Sequence, residues 1–110
     1  MAYNETLAAR IRKSLGRKKG ITEKKMFGGI GFLLNGNTCV GVWKESMIVR
    51  LDPDDTEAAL RESHVKPFDI TGRAMKGWVL VEPDGIGEDA ELKQWIQVAT
   101  KFVGTLPKKD

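Results

Sequence analysis

A glycine cluster that directly follows two lysines is the part of the sequence with the most obvious capacity for chemistry. Residues 24–37 read KKMFGGIGFLLNGN. Glycine-rich loops beside lysines hold phosphate, but a P-loop leads into a helix and ends in Gly-Lys-Ser/Thr, and a dinucleotide loop reads GxGxxG. Here Gly31 is followed by apolar residues with a period of two, so the helix N-terminus that would attract a phosphate is missing. We therefore expect the glycines to be structural, allowing a bulge or the close packing of another element.

Basic side chains are concentrated in residues 10–25. This segment has eight basic residues against one acidic residue, Glu23, although the formal net charge of the chain is only +3. Clustered lysines and arginines can contact nucleic-acid phosphates, but they can equally form a solvated face, and no aromatic residue interleaves with them to stack on bases. Two further basic residues flank Met75 in a predicted loop. The candidate contacts for a partner protein or a nucleic acid are therefore Arg12, Lys13, Arg17, Lys18, Lys19, Lys24, Lys25, Arg73 and Lys76.

The other reactive residue types form no catalytic constellation. His64 is the only histidine and Cys39 the only cysteine, which excludes an intramolecular disulfide and metal sites built from several such ligands. We expect His64 to lie exposed at a helix end, and Cys39 to be a buried, inert thiol in a strand. Trp43, Trp78 and Trp95 could line a small-molecule pocket, but core or interface positions are more typical of tryptophan. The sequence thus predicts a non-enzymatic protein without cofactor or metal.

Local patterns predict the elements that position these residues. Residues 4–16 have apolar positions at helical spacing behind an asparagine N-cap. Asn35-Gly36 lies between two apolar runs, which is the strongest short-range signal of a β-hairpin, and predicts strands over 25–34 and 37–43. The remaining predicted elements are a strand from Met47, a helix from Asp52 to Ser63, short strands near 66–70 and 77–82, and a helix over 88–104.

The order of these elements indicates the fold class. A helix is followed by three strands, a helix, two strands and a last helix, and the short connections favour antiparallel pairing. The final helix, over 88–104, carries the clearest apolar stripe. We predict a single α+β domain over residues 1–110, in which a mostly antiparallel five-stranded sheet packs against helices in two layers.

The sequence also suggests where the protein works and whether it associates. The N-terminus lacks the basic head and apolar run of a secretory signal, and no apolar stretch approaches the ~20 residues that cross a bilayer. We therefore expect a cytoplasmic protein without a membrane partner. Exposed edge strands of an antiparallel sheet could pair across a two-fold axis, so a homodimer is a further expectation.

Four stretches of the chain form a recognisable combination. They are the opening helix over 3–15, KKMFGGIGF with the following NGN at 24–37, MIVR at 47–50 and FDITGRAMKGWV at 68–79. In combination they resemble the N-terminal domain of the TfoX/Sxy family, whose members are bacterial regulators of DNA-uptake competence. The resemblance covers nearly the whole chain.

The resemblance implies both a fold and a function. The implied fold has the order α-β3-α-β2-α and is arranged like the secretion chaperones. The implied function is that of a non-enzymatic regulatory module, acting by protein–protein interaction in transcription control, with the transcription machinery as the candidate partner. Direct nucleic-acid binding through residues 10–25 is the alternative. Full competence regulators carry a second, C-terminal domain, and we expect this chain to be a single-domain member.

Overall fold

A six-stranded antiparallel sheet with helices on one face organises the chain. The computed structural model describes residues 3–16, 18–26, 28–69 and 76–108. The helices are α1 (Glu5–Leu15), α2 (Thr56–Leu60) and α3 (Asp89–Val103). The strands are β1 (Ile21–Met26), β2 (Gly29–Leu34), β3 (Asn37–Trp43), β4 (Ser46–Arg50), β5 (Val65–Pro67) and β6 (Trp78–Val81). Two 3-10 turns, Pro53–Asp55 and Pro83–Gly85, lie before α2 and α3.

The strand count differs from the prediction, although the α+β class is confirmed. The strands lie in the order β1-β2-β3-β4-β6-β5, so the predicted five-stranded sheet and the order α-β3-α-β2-α are wrong by one strand. The predicted strand 25–34 is in fact two strands, and Met26 of β1 pairs with Gly29 of β2 across a tight turn. Gly28 in this turn has a φ of 78°, a left-handed conformation that glycine adopts without strain. Phe27 lies outside the described residues.

The second hairpin forms where Asn35-Gly36 predicted it. Leu34 of β2 pairs with Asn37 of β3, and the two residues between them have positive φ values of 54° and 83°. Such a turn matches the twist of the flanking strands. The amide of Asn35 also donates to the carbonyl of Gly20 at 2.9 Å, which fixes the hydrogen-bonding pattern between β1 and β2.

Alternate side chains of the sheet face α1 and α3 and form the main core. On the strands these buried residues are Ile30, Phe32, Leu34, Cys39, Val40, Val42, Met47, Val49, Val65, Val79 and Val81. The helices cover them with the apolar stripes that the sequence predicted, namely Leu7, Ile11 and Leu15 on α1 and Leu92, Ile96, Ala99 and Val103 on α3. Burial of this surface is the main favourable contribution to folding.

The two long helices begin close to the positions that the sequence indicated. The side chain of Asn4 accepts a hydrogen bond from the amide of Leu7 at 3.0 Å, as an N-cap does. At the start of α3, Glu88 and Glu91 form a reciprocal capping box. The predicted helices over 4–16 and 88–104 are therefore confirmed to within a residue at each end.

The short helix α2 is tied to the sheet by a buried hydroxyl. Asp52 caps the turn before it by accepting a hydrogen bond from the amide of Asp54 at 2.9 Å. The predicted cap is therefore confirmed, but it caps the 3-10 turn Pro53–Asp55, and α2 itself begins only at Thr56. The Thr56 hydroxyl accepts from the amide of Gly77 at 3.0 Å, just before β6. α2 ends at Leu60, three residues earlier than predicted.

The opposite face of the sheet carries a second, smaller apolar cluster. Ile48, Phe68 and Leu80 are buried there, and Trp43 and Trp78 pack against them half-buried. The rings of Phe68 and Trp78 have centroids 5.9 Å apart. Both tryptophans thus contribute to apolar packing, in agreement with the sequence interpretation.

The strand leading into this smaller cluster is shorter than the sequence predicted. β5 ends at Pro67, whereas the predicted strand continued to Ile70, which lies outside the described residues. Proline has no N–H to donate to a strand ladder, which fits its place at the end of β5.

The single cysteine is buried in β3, and its thiol is expected to be unreactive. Register places Cys39 as the extra residue of a bulge between β2 and β3, and the side chain has no exposed surface. Burial raises the pKa of the thiol to about 12, so the reactive thiolate is scarce at pH 8. We expect Ellman's reagent to react slowly with the native protein and rapidly after unfolding in urea. A native rate at pH 8 equal to the unfolded rate would contradict the buried position.

Candidate binding surface at the basic edge of the sheet

The structure gathers most of the predicted basic residues around one edge of the sheet. Arg12 and Lys13 lie on α1, Lys18 and Lys19 in the connection that follows, and Lys24 and Lys25 on β1. Of the other three predicted residues, Arg17 and Arg73 lie outside the described residues. Lys76 lies two residues before β6, which is separated from β1 by β2, β3 and β4.

Arg12 is engaged in an intramolecular ion pair. Its guanidinium donates to both carboxylate oxygens of Glu23 on β1, Nε to Oε2 at 2.8 Å and Nη2 to Oε1 at 2.7 Å. The guanidinium also lies 5.8 Å from the centre of the buried Phe32 ring. The hydrogen bond to the other partner raises the pKa of Arg12 and lowers the pKa of Glu23. Arg12 therefore fastens α1 to the edge strand, which makes it a poor candidate for an external contact.

The carboxylate of Glu23 makes a small, pH-dependent contribution to stability. Its pKa is lowered from 4.5 in the folded state, so the contribution is complete above about 4.5 and is lost as the pH falls through the folded value. We expect Glu23→Gln to lower the free energy of unfolding by less than about 1 kcal/mol at pH 7, because the pair is exposed. The difference from wild type should shrink towards zero in urea titrations near pH 3.

An exposed acidic residue in the turn between β3 and β4 provides the control for this ion pair. Glu45 lies exposed in a turn and forms no ion pair with the described residues, so Glu45→Gln should have no effect at either pH. A Glu23→Gln effect that stayed the same from pH 7 to pH 3 would show that the carboxylate charge is not its source.

Five lysines of the basic segment remain as available charges. All are exposed, and among the described residues none forms an ion pair. They are Lys18, Lys19, Lys24 and Lys25 in or beside β1, and Lys13, which lines a groove between α1 and the start of α3. Arg10, which belongs to the same basic segment, pairs with Asp89 at 3.1 Å and so links α1 to the start of α3.

The two lysines of β1 point to opposite faces of the sheet. Lys25 pairs with Ile30, whose side chain lies in the core beneath the helices, whereas Lys24 pairs with Gly31 on the other face. Side chains of directly opposite strand residues share a face, and neighbours along a strand alternate. A ligand lying against one face can therefore meet only one of these two ammonium groups.

The outer edge of β1 is free of other strands within the described part of the chain. Only β2 pairs with β1 there. Since Asn35 and Gly20 form a hydrogen-bonded pair, the ladder alternates so that Thr22, Lys24 and Met26 bond to β2. The N–H and C=O groups of the intervening residues point away from the sheet. These residues are Ile21, Glu23 and Lys25.

Sequence reasoning missed this edge because it predicts a basic loop over residues 17–20 and a strand that begins only at residue 25. Residues 21–24, which form most of β1, are assigned to no element. Gly20 and Gly28, which bracket β1, and the β-branched pair Ile21-Thr22 are signals that could have indicated a strand. The charged residues of β1 hide the usual apolar alternation, because the side chains on an edge strand are largely exposed.

Two grooves elsewhere hold the remaining residues that the sequence singled out. A cavity of about 520 Å³ lies between α2 and β6, lined by Lys76 and Trp78 among others. A smaller one of about 210 Å³ is lined by Ser63, His64 and Trp95. His64 is exposed after α2 as predicted, and within the described structure no side-chain hydrogen bond joins it to Ser63. The described residues also contain no group of three His, Cys, Asp or Glu side chains that could hold a metal.

The fold and its sequence pattern define the class of protein. An N-terminal helix precedes an antiparallel sheet whose first hairpins carry the glycine cluster and Asn35-Gly36, and a capped amphipathic helix closes the core. The model of the TfoX N-terminal domain family matches residues 13–103. The chain therefore belongs to the TfoX N-terminal domain family.

The comparisons with individual proteins identify no relative of this chain. Comparison with curated proteins and with solved structures gives no match. Among the described residues, no helix is long and apolar enough to cross a membrane.

Proposed function

We propose that this protein is a non-enzymatic regulatory module that acts by binding another protein in transcription control. The observation that carries the proposal is membership of the TfoX N-terminal domain family over residues 13–103. The free edge of β1 and its lysines supply a surface on which a partner could bind. The proposal includes a bacterial setting and a role in competence regulation, as the resemblance to competence regulators implies. It also includes the cytoplasmic location that the sequence pattern led us to expect.

Co-purification from the native host tests this proposal. We expect the tagged protein to enrich components or regulators of the transcription machinery above a tag-only control. The enrichment should persist after nuclease treatment, because the proposed contact is between proteins. Absence of any transcription protein above the control would contradict the proposal.

Direct nucleic-acid binding through residues 10–25 is the second candidate function. It is favoured by the exposed lysines of this segment, which have no ion pair among the described residues. Binding of this kind weakens steeply with salt, because lysines displace counterions from phosphates. The double variant Lys18→Glu/Lys19→Glu should therefore weaken binding to a DNA duplex and reduce the salt slope by about two.

A matched charge change elsewhere controls this experiment. Lys101→Glu/Lys108→Glu alters the net charge equally, on α3 and in the tail, and should leave the slope nearly unchanged. Equal DNA affinity of wild type and Lys18→Glu/Lys19→Glu would contradict nucleic-acid binding by this segment.

Two further predictions are also proposed. The secretion-chaperone-like arrangement that the resemblance implies is supported by the α+β layering. Homodimerisation, which was expected from the strand pattern, is supported by the position of β1 and β5 at the two ends of the strand order. Light scattering at high protein concentration tests the second, because a monomeric mass would contradict a homodimer.

A further inference from the structure

We infer that the outer edge of β1 binds an extended peptide segment carrying two adjacent carboxylates, which adds to the sheet as a further strand. This inference rests on the proposed protein-binding function and assigns it a surface and a partner chemistry. Strand addition at a sheet edge takes its affinity from main-chain hydrogen bonds and its specificity from alternate side chains. Both contributions can be derived from β1.

The main-chain hydrogen bonds to a partner would come from the residues of β1 whose N–H and C=O groups point away from β2. Ile21, Glu23 and Lys25 direct their N–H and C=O groups away from β2, as the pairing of Gly20 with Asn35 requires. The side chains of β1 do not cover this edge, since those of Thr22 to Lys25 are exposed. An incoming strand would therefore find alternating donors and acceptors over the length of β1.

The side-chain part explains why the partner should be acidic and extended. Lys24 and Lys25 project from opposite faces of the sheet. An added strand also presents successive side chains on opposite faces, so two adjacent carboxylates would meet one lysine each. Opposite charges that face each other across a strand pair stabilise the pairing. A nucleic acid lying on one face would meet only one of these lysines, which favours a peptide.

A second copy of β1 is the less suitable occupant. In antiparallel pairing about a two-fold axis, outward-facing residues must bond to outward-facing residues, so one position always lies opposite itself. The two registers with the greatest overlap place Glu23 opposite Glu23 or Lys24 opposite Lys24. Like charges directly opposite one another are destabilising. The register centred on Lys24 would also set Glu23 opposite Lys25, but the Glu23 carboxylate is already bonded to Arg12. Lysines on an edge strand commonly discourage self-association in this way.

Titration of the isotopically labelled protein with a synthetic peptide, followed by amide hydrogen exchange at single residues, tests the inference. The probe is acetyl-Thr-Val-Glu-Glu-Val-Thr-amide, and the control peptide has lysines in place of the two glutamates. We expect the acidic probe to slow solvent exchange at the amides of Ile21, Glu23 and Lys25. The amides of Thr22 and Lys24 should change little, because they already bond to β2. This alternation distinguishes strand addition from a diffuse attraction between charges, and its absence would overturn the inference.

Charge reversal on the strand supplies the specificity test. Lys24→Glu/Lys25→Glu should lower the affinity for the acidic probe by about tenfold and raise the affinity for the lysine peptide. Lys18→Glu/Lys19→Glu carries the same charge change in the neighbouring loop and should alter acidic-probe affinity by less than about threefold, because it leaves the strand lysines in place. Circular dichroism and thermal unfolding should show that both variants are folded. Equal loss of acidic-probe affinity in the two variants would overturn the inference.

Alternative occupants give different outcomes in the same experiments. If a DNA duplex slows exchange at the β1 amides and the acidic probe does not, the occupant of the edge is a nucleic acid. If the amides of Ile21, Glu23 and Lys25 become more protected from exchange as the protein concentration rises, without any probe, the occupant is a second copy of the protein. Either result would overturn the inference.

The experiments distinguish an error in the edge site from an error in the proposed function. If Lys24→Glu/Lys25→Glu still enriches transcription proteins from the host as the wild type does, the edge site is wrong and the proposed function stands. If the acidic probe adds to β1 as described while no transcription protein co-purifies, the edge site stands and the proposed function is wrong.

Discussion

Replacing Phe32 with alanine is expected to lower the free energy of unfolding by about 3–5 kcal/mol. The ring has no exposed surface, and it lies on the helix-covered face of the sheet opposite Val40 of β3. Removing it forfeits the transfer free energy of the ring and leaves a cavity, because the strands on either side cannot collapse freely into the space. Urea denaturation followed by circular dichroism would measure the loss.

The Phe32 substitution has a matched control on the surface. Val98 on α3 is 40% exposed, and Val98→Ala removes apolar atoms that are partly in water while improving helix propensity. We expect this control to change stability by less than about 0.5 kcal/mol. A Phe32→Ala loss as small as that of the control would contradict the central position of Phe32.

Loss of the Phe32 ring should also destabilise the basic edge of the sheet at β1. The guanidinium of Arg12 lies over this ring while it bonds to Glu23 of β1. Phe32 thereby supports the contact between α1 and the strand proposed to receive a partner. In conditions where Phe32→Ala remains folded, we expect faster exchange of the β1 amides than in the wild type, measured by hydrogen exchange.

Replacing Gly29 with alanine is expected to cost about 3 kcal/mol, because the added methyl group has no room. A Cβ at this position would overlap the carbonyl oxygen of Val42 and would lie 3.3 Å from the Cα of Trp43. Both are backbone atoms of β3, so the neighbouring strand would have to move. For a domain of this size the melting temperature should fall by about 10 °C or more, which differential scanning calorimetry would show.

A glycine with open space provides the control for Gly29. At Gly87 the nearest atom to an added Cβ is the carbonyl oxygen of Pro83 at 3.8 Å, an ordinary contact. Gly87→Ala should be neutral or slightly stabilising, since alanine reduces the entropy of the unfolded chain. Equal melting temperatures for the Gly29→Ala and Gly87→Ala variants would contradict the close approach of β2 and β3.

The Gly29 result would also bear on the first interpretation of the glycine cluster. The sequence predicted that these glycines serve strand structure, and the structure supports this with two different reasons. Gly28 adopts a positive φ in a turn, whereas Gly29 allows the backbone of β3 to approach closely. Adjacent glycines in one motif therefore meet separate requirements, one conformational and one steric.

Elements with a local physical origin could be predicted from the sequence. The helix caps at Asn4 and Asp52 and the turn at Asn35-Gly36 depend on residues within a few positions of one another. The apolar stripe of α3 likewise depends only on helical spacing. Each of these features is present in the structure where the sequence placed it.

Elements that depend on distant partners were predicted less well. β1 was missed because its backbone is held by pairing with β2, while its charged side chains give no apolar alternation. α2 was predicted to continue to Ser63, but it ends at Leu60. The chain then leads into β5, which pairs with β6, and the local pattern does not show this pairing. The count of strands was wrong for the first of these reasons.

By itself the sequence determined the α+β class, the family and the basic character of residues 10–25, because these follow from composition, spacing and motif. Only the tertiary structure decided which of those charges are available. It pairs Arg12 with Glu23 and Arg10 with Asp89, and it places Lys24 and Lys25 on opposite faces of a strand whose described outer edge has no partner strand. Ion pairs and strand pairing join residues that are remote in sequence, so the spacing of residues along the chain does not reveal these contacts.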